Sequence, residues 1–264
     1  MSDSANFVAV RYAVPSARET WALPEGNVPE STSHYEIAEY IRQVLIAWAE
    51  SLDRPVRVAR NLAIRWQDGA TPIGVDPDVC VLDPRPGAES ISSLRLWQPG
   101  ELPPTLCFEI VSANHPHKDY RDLHERYANV RARELVVFDP ELAGPRALGG
   151  PLLFQLWRRA EDGTLERVAT GDGPLRSEVL GCYISAKHGK LAFSDQPSGA
   201  GRWLTREERE RAAAQRERAE KERAQDAESD ERAEKERERA EKERAEAEVR
   251  ALAARVAELE ERLG

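Results

Sequence analysis

Residues 103–140 read PPTLCFEIVSANHPHKDYRDLHERYANVRARELVVFDP, and this stretch decides the fold of the chain. Its two apolar runs, Leu106–Val111 and Leu135–Phe138, have the composition of buried β-strands. Between them we predict a helix from about Asp119 to Val130, because apolar side chains recur on one face at positions 120, 123, 127 and 130. A strand, a helix and a second strand in this order indicate a layered α/β domain.

The segments before this stretch add a second helix. A helix is predicted from about Ser33 to Ser51, because its apolar residues follow helical spacing and Ser33 with Glu36 forms a capping box. Residues 1–30 are weakly patterned, and we expect an extended lead-in there with one strand near Phe7–Tyr12.

Further strand signals surround the central stretch. Val56–Trp66 is typical of a strand or a hairpin, and Val79–Leu82 of a buried strand. Residues 83–103 are rich in Pro, Gly and Ser and indicate a long loop. Residues 152–159 and 164–170 form a predicted hairpin around a turn at 161–163. Together these signals predict a mixed α/β sheet flanked by helices, which we expect to be a domain over residues 31–200.

From Thr205 the composition changes to Arg, Glu, Ala and Lys, and residues 205–264 are predicted to be one long charged helix. Near its end, apolar residues alternate by three and four in the a/d pattern of a coiled coil, at Val249, Leu252, Val256, Leu259 and Leu263. Farther upstream, the heptad is held only by alanines, at 212, 219, 233, 240 and 247. That half is either a solvated helix held by i,i+4 ion pairs or part of a continuous oligomerising coil. The tail therefore offers a homodimer contact or a docking helix for a partner.

Composition limits the functional classes. The net charge is −9, and residues from 205 onward hold 16 basic against 20 acidic side chains, so neither part of the chain is basic. Any contact with nucleic acid must come from a local patch. The three cysteines, Cys80, Cys107 and Cys182, lie in apolar runs and are expected to be reduced core thiols. With no apolar run long enough to span a bilayer and no secretory signal pattern, we expect a cytoplasmic protein without a membrane partner.

Two acidic residues occupy positions that otherwise exclude charge. Glu109 lies within the strand LCFEIV, where an uncompensated carboxylate is costly. Asp78 directly precedes the apolar run VCVL. Two carboxylates at neighbouring strand ends can share a hard cation such as Mg²⁺, which activates water for attack on a phosphate. Each acid also has a structural interpretation, Asp78 as a turn residue and Glu109 as the partner of a buried arginine.

In the order of these elements the chain resembles the Uma-two family of restriction endonucleases, in the PD-(D/E)xK or restriction-endonuclease-like superfamily. The resemblance runs over about residues 20 to 195 and leaves the charged tail outside. No single element identifies the family, but the order and spacing of the elements together do. They are the Pro-Asp-Val at Asp78, the Glu109 strand with Ser112 after it, Asp119 before a helix, Tyr127 within that helix, the strand ELVVFDP, and an upstream helix opened by Ser33-His34.

The resemblance implies a metal-dependent endonuclease acting on DNA. Asp78, Glu109 and the backbone carbonyl of Ile110 would bind Mg²⁺ or Mn²⁺, and the metal would deliver a water to the phosphodiester. A lysine of the superfamily motif would orient or deprotonate that water.

The motif lysine is missing from both of its usual positions. Two residues after the glutamate the chain has Val111, and at the position used by relatives within the helix it has Leu123. Lys118 and Arg126 are the nearest substitutes. We favour Lys118 as the catalytic lysine, because an ammonium can lose its proton to act on water, whereas a guanidinium does so with difficulty.

Two functional hypotheses therefore stay open. The first is a Mg²⁺-dependent endonuclease using Asp78, Glu109 and Lys118. The second is an inactive nuclease-fold scaffold that acts through its coiled-coil tail. Of the histidines near these motifs, His34 is expected to make a structural contact, while His115 and His117 could contact phosphate or be ordinary loop residues.

Overall fold

The computed structural model describes residues 32–52, 55–68, 73–85, 91–187 and 190–263. The chain divides into two compact units, one ending at Arg206 and one beginning at Glu207. The lead-in at 1–30 and its strand near Phe7–Tyr12 lie outside the described residues. None of the helices described here combines the length and the apolar character needed to cross a membrane.

The elements of the first unit alternate irregularly between strands and helices. The first half consists of α1 (Thr32–Ala49), β1 (Arg57–Ala59), β2 (Ala63–Arg65), β3 (Gly74–Val75), β4 (Val79–Leu82), β5 (Ser93–Arg95) and β6 (Leu106–Ile110). The second half consists of α2 (Pro116–Tyr120), α3 (Leu123–Val130), β7 (Glu134–Phe138), β8 (Phe154–Arg159), β9 (Leu165–Gly171), β10 (Leu175–Ser177), β11 (Cys182–Lys187) and β12 (Lys190–Ser194). The second unit is the helix α4, which extends from Arg206 to Leu263.

A six-stranded mixed sheet forms the centre of the first unit, in the order β1-β4-β6-β7-β8-β9. Its β6 and β7 are parallel, while the other neighbouring strands are antiparallel. The parallel pair is possible because α2 and α3 carry the chain back between the two strands. Two three-stranded sheets accompany it, β10-β11-β12 and β3-β2-β5. The predicted fold class, a mixed α/β sheet flanked by helices and followed by a long C-terminal helix, is confirmed.

The two faces of the central sheet are covered by different elements. On one face, α1 and the β10–β12 sheet pack against Phe108 and Ile110 of β6. On the other face, α3 and the β3-β2-β5 sheet pack against Cys107 and the following Val111. Because side chains of a strand alternate between faces, Glu109 belongs to the same face as Cys107 and Val111. Its carboxylate therefore lies on the side that α3 covers.

Several local predictions were wrong. The predicted helix from Asp119 to Val130 is two helices, because the chain breaks at residues 121–122 and turns Tyr120 toward Asp139. Val56–Trp66 is not a hairpin, since β1 pairs with β4 whereas β2 pairs with β3 and β5. The loop 83–103 contains the short strand β5, which lies parallel to β2. Helix α1 begins at Thr32, one residue before the predicted start at Ser33.

The three cysteines are all buried and free, as the sequence predicted.

Candidate metal centre

Strand pairing brings Asp78 and Glu109 together. In the antiparallel pairing of β4 with β6, Val79 stands opposite Phe108, so the next pair along the register is Asp78 and Glu109. The Asp78 carboxylate accepts a hydrogen bond from the backbone N–H of Ile110 at 2.7 Å through Oδ2. Its other oxygen, Oδ1, lies 3.0 Å from His34 Nε2 of α1. Asp78 is thus fixed against β6 at the point where both strands reach the edge of the core.

Glu109 is a buried carboxylate, with 4% of its surface exposed. Burial and then the negative charges of Asp78 and Asp119 raise its pKa well above the usual range. The positive charge of Lys118 and a hydrogen bond donated by the Tyr127 hydroxyl to Oε1 oppose this effect. The raised pKa means that the protein does not supply enough positive charge to balance an ionised Glu109.

Asp119 is a third carboxylate of this cluster, although it was not among the predicted catalytic or metal-binding residues. The turn at residues 111–115 and the short helix α2 return the chain from β6 so that Asp119 is buried beside the first two acids. Burial raises the pKa of Asp119 to about 6, with Asp78 adding to the shift and Lys118 opposing it. A hydrogen bond from the Ser112 backbone also opposes it. The only sequence signal for this position was its place in the motif, before the helix.

Lys118 is the cation of the cluster. The residue is exposed at the surface, and desolvation of its ammonium beside the acids lowers the pKa, but Glu109, Asp119 and Asp78 together outweigh this effect and raise the pKa above its usual value. The lysine is therefore protonated at neutral pH in the metal-free protein. This state suits a group that orients water or offsets phosphate charge better than a group that removes a proton.

The two positions from which the motif lysine is missing are both part of the core. Val111 and Leu123 are buried, and they pack in one cluster with Tyr127. A lysine at either position would have to extend out of this cluster toward the acids. Arg126, the other candidate substitute, donates a hydrogen bond to the Gly74 carbonyl, so its guanidinium has a structural contact.

The donor chemistry of this cluster fits a hard divalent cation. Three carboxylates face one lysine, and oxygen atoms are the ligands that Mg²⁺ and Mn²⁺ prefer. Within the described ranges, no three side chains of His, Cys, Asp or Glu stand ready as a ligand set. Both Asp78 oxygens are also engaged by His34 and Ile110. A cation held here would therefore use two carboxylates, the Ile110 carbonyl and several waters, and would displace the contact with His34.

An open cleft of about 220 Å³ lies beside this cluster, on the α1 side of the strand ends. Its lining combines polar groups of α1, the turn after β6 and the turn after β7, and includes Ser33, His34, Ile110, Ser112, Asn114 and Glu141. The cleft gives solvent access next to Ile110, whose carbonyl was predicted as a metal ligand.

The four histidines within the described ranges lie in three environments. His34, expected to be a structural contact, touches Asp78 itself, which makes it a member of the acidic site. His115 and His117 are exposed at the start of α2 and make no side-chain hydrogen bond that the structure shows. His124 stacks on Trp157 at a centroid distance of 4.8 Å and belongs to the packing of α3.

Tyr120 anchors α2, the helix that carries Lys118 and Asp119. Its hydroxyl donates to Oδ2 of the fully buried Asp139 at 2.9 Å and accepts from the Leu152 N–H at 3.0 Å. The ring packs against Gly144 and Gly150, where a Cβ would lie 2.2 Å and 2.8 Å from its atoms. The two glycines therefore leave the space that the ring occupies. This anchor ties α2 to the end of β7, the strand next to Glu109.

Replacing Tyr120 with phenylalanine is expected to destabilise the first unit by about 1–3 kcal/mol, because buried Asp139 and the Leu152 N–H lose a partner. The affinity of the site for Mn²⁺ should fall as well, since α2 becomes less fixed. Urea unfolding and metal titration measure the two effects. The matched control is Tyr183→Phe, which removes only a contact of 3.5 Å to Arg176. If Tyr120→Phe and Tyr183→Phe had the same stability and the same affinity for Mn²⁺, Tyr120 would not be an anchor of α2.

The fold and the buried acids at the strand ends define a mixed α/β domain with an acidic centre. Residues 14–144 match the model of the Uma2 family, which is described as "Putative restriction endonuclease". This match confirms the resemblance found in the sequence, and it ends before the charged helix.

One solved structure that the chain resembles is described as a "putative nuclease belonging to DUF820" from Anabaena variabilis ATCC 29413. The two share 13% identity at a TM-score of 0.40, over 57% of this chain and 74% of the other. Among curated proteins, none gives a significant match.

Proposed function

We propose that the unit ending at Arg206 is a divalent-metal-dependent endonuclease that hydrolyses DNA phosphodiester bonds. The observation that supports this proposal best is the burial of Glu109 beside Asp78 and Asp119 with Lys118 as the nearby cation. Such a cluster is unfavourable without further positive charge, and it becomes favourable when a divalent cation is present. The match to the Uma2 family supports a nuclease as the class of enzyme.

In this proposal Asp78, Glu109 and the Ile110 carbonyl would hold Mg²⁺ or Mn²⁺, which would supply an activated water and offset charge on the phosphate. The Ile110 N–H keeps the Asp78 carboxylate in place, and the Tyr127 hydroxyl does the same for Glu109. Lys118, protonated, donates hydrogen bonds that orient the attacking water or the phosphate oxygens. Asp119, buried beside the first two acids, is available as a further oxygen ligand.

The alternative is a nuclease-fold scaffold without turnover. It is favoured by one observation, the apolar side chains of Val111 and Leu123 at both usual lysine positions. Under this alternative, Lys118 serves only to offset the charge of the three acids. A chain with three buried free cysteines suits a reducing compartment in either case, and we place it in the cytoplasm.

DNA cleavage by the full chain separates the two functions. With Mg²⁺ or Mn²⁺, the wild type should nick or cut plasmid DNA. Lys118→Met should lower the rate at least about 100-fold, because it removes the group that positions the water. Lys190→Met changes an exposed lysine of β12 and should leave the rate unchanged. Cleavage that is equal in the wild type and in Lys118→Met would remove Lys118 from the mechanism. Metal binding without cleavage would favour the scaffold.

A further inference from the structure

The end of α4 carries an apolar stripe that faces solvent. Val249, Leu252 and Val256 lie on one side of the helix and are 66%, 59% and 54% exposed. In the sequence, Leu259 and Leu263 continue the same spacing. Branched apolar side chains in a row are costly to expose on a helix that otherwise consists of charged residues and alanine. We call residues 245–263 the terminal seam.

The terminal seam does not extend upstream. With Val249 at position a and Leu252 at position d, the preceding a positions are Lys242 and Lys235, and the preceding d positions beyond Ala245 are Glu238 and Glu231. The alanines at 212, 219, 233, 240 and 247 occupy position f, on the opposite side of the helix. The expectation that these alanines hold the same heptad is therefore wrong, because their seven-residue spacing is out of phase with the seam.

Upstream of the seam, α4 has the features of a solvated charged helix. Ion pairs at i,i+4 spacing join its exposed side chains, at Glu207–Arg211, Glu217–Lys221, Glu231–Lys235 and Arg239–Glu243. Such pairs stabilise a helix without a packed face. Residues 206–244 amount to about 58 Å of helix at 1.5 Å per residue. The tail thus consists of a charged helical spacer followed by a short apolar stripe.

We infer that the terminal seam pairs with the same seam of a second copy of this chain, as a parallel two-stranded coiled coil. The seam has valine at two of its three a positions and leucine at two of its three d positions, the third d position being Ala245. Valine at a combined with leucine at d favours two strands over three or four. The inference rests on α4 alone and does not depend on the proposed nuclease function.

Charge at the edges of the seam selects the parallel orientation. Arg255 at position g would face Glu260 at position e of the second copy, and the pair occurs twice by symmetry. In an antiparallel pairing of the same seam, Arg255 would face its own counterpart, and Glu246 would face Glu260. Within residues 245–263 the parallel dimer therefore has two attractive pairs and no like-charge pair. The antiparallel dimer also has two attractive pairs, between Glu248 and Arg262, but it adds three like-charge contacts.

Sedimentation equilibrium of the full chain, over a wide concentration range, tests this inference. The wild type should shift from one copy to two as concentration rises. Leu252→Glu should lose this shift, because it places charge in the seam while keeping a good helix former. Ala247→Glu makes the same charge change on position f and should dimerise like the wild type. A trimer, a monomer throughout, or dimerisation unaffected by Leu252→Glu would overturn the inference.

Cross-linking then fixes the orientation. In a parallel dimer, residue 252 of one copy lies beside residue 252 of the other, so Leu252→Cys should form a disulfide-linked dimer under mild oxidation. The native thiols of Cys80, Cys107 and Cys182 are buried and do not compete. An antiparallel dimer would place Leu252 beside Val256 of the other copy instead. A variant that dimerises without forming the disulfide would therefore overturn the parallel arrangement.

Discussion

Replacing Glu109 with glutamine should stabilise the metal-free protein at pH 8 and abolish its binding of Mg²⁺ or Mn²⁺. The first effect follows from the raised pKa of Glu109, which reflects burial and the neighbouring charges of Asp78 and Asp119. Glutamine removes the charge but keeps an oxygen that can accept the hydrogen bond from Tyr127. Because the neutral amide carries no charge that burial would penalise, the free energy of unfolding should rise by about 1 kcal/mol or more at pH 8.

The direction in which the stabilisation by Glu109→Gln changes with pH tests whether it comes from removing a buried charge. A carboxyl whose pKa is higher in the folded than in the unfolded state binds more protons when folded. Its contribution therefore lowers stability as pH rises above the pKa of the unfolded state, and the cost is absent at lower pH. Asp119, with its pKa raised to about 6, contributes in the same direction. The advantage of Glu109→Gln should accordingly be large at pH 8 and vanish near pH 4.

The same variant, Glu109→Gln, should lose the binding of metal although it gains stability. Calorimetric titration of Mn²⁺ or Mg²⁺ into the full chain should show binding that Glu109→Gln removes. An exposed strand residue, Glu166, offers the control: Glu166→Gln should change neither stability nor binding. If Glu109→Gln destabilises the protein at pH 8, or if metal binding is indifferent to it, Glu109 is a structural carboxylate and the proposed metal centre is wrong.

The main features of the sheet could be predicted because they depend on local sequence. The strands around Cys80, Cys107 and Val136 are short apolar runs bounded by turn residues. Such runs are predicted as strands from local sequence, whatever elements pack against them. The proximity of Asp78 to Glu109 could also be predicted, since both residues stand at the ends of strands that otherwise exclude charge. The long helix α4 followed from composition alone.

The features that could not be predicted depend on contacts between segments that are far apart in the sequence. Asp119 joins the acids because the turn at 111–115 directs α2 back to β6, and no periodic pattern encodes that turn. The β10–β12 sheet escaped prediction because its strands mix polar with apolar residues and are not continuous apolar runs like those of β4, β6 and β7. Glu134 gave no signal either, since its partners lie 24 to 45 residues away in the chain.

Glu134 is the second position where we expect a large effect, here on stability. The side chain is 1% exposed on β7 and accepts hydrogen bonds from five donors. Arg158 of β8 donates two of them, at 3.2 Å and 3.1 Å. The Ser177 hydroxyl donates at 2.6 Å, and the backbone N–H groups of Glu178 and Val179 donate at 2.9 Å and 3.4 Å. One carboxylate thus joins the central sheet to the segment that follows β10.

Glu134→Ala should destabilise the first unit by about 1–3 kcal/mol, because the buried Ser177 hydroxyl loses its acceptor and Arg158 keeps only its exposed partner Glu178. Glu134→Gln should cost less, since one acceptor oxygen remains. Urea unfolding followed by tryptophan fluorescence measures the loss selectively, because all six tryptophans precede Thr205. Glu166→Ala, an exposed change on β9, should shift stability by less than about 0.5 kcal/mol. If Glu134→Ala unfolds like this control, the carboxylate does not join the two sheets, and their attachment rests on the apolar contacts around Leu175 and Ile184.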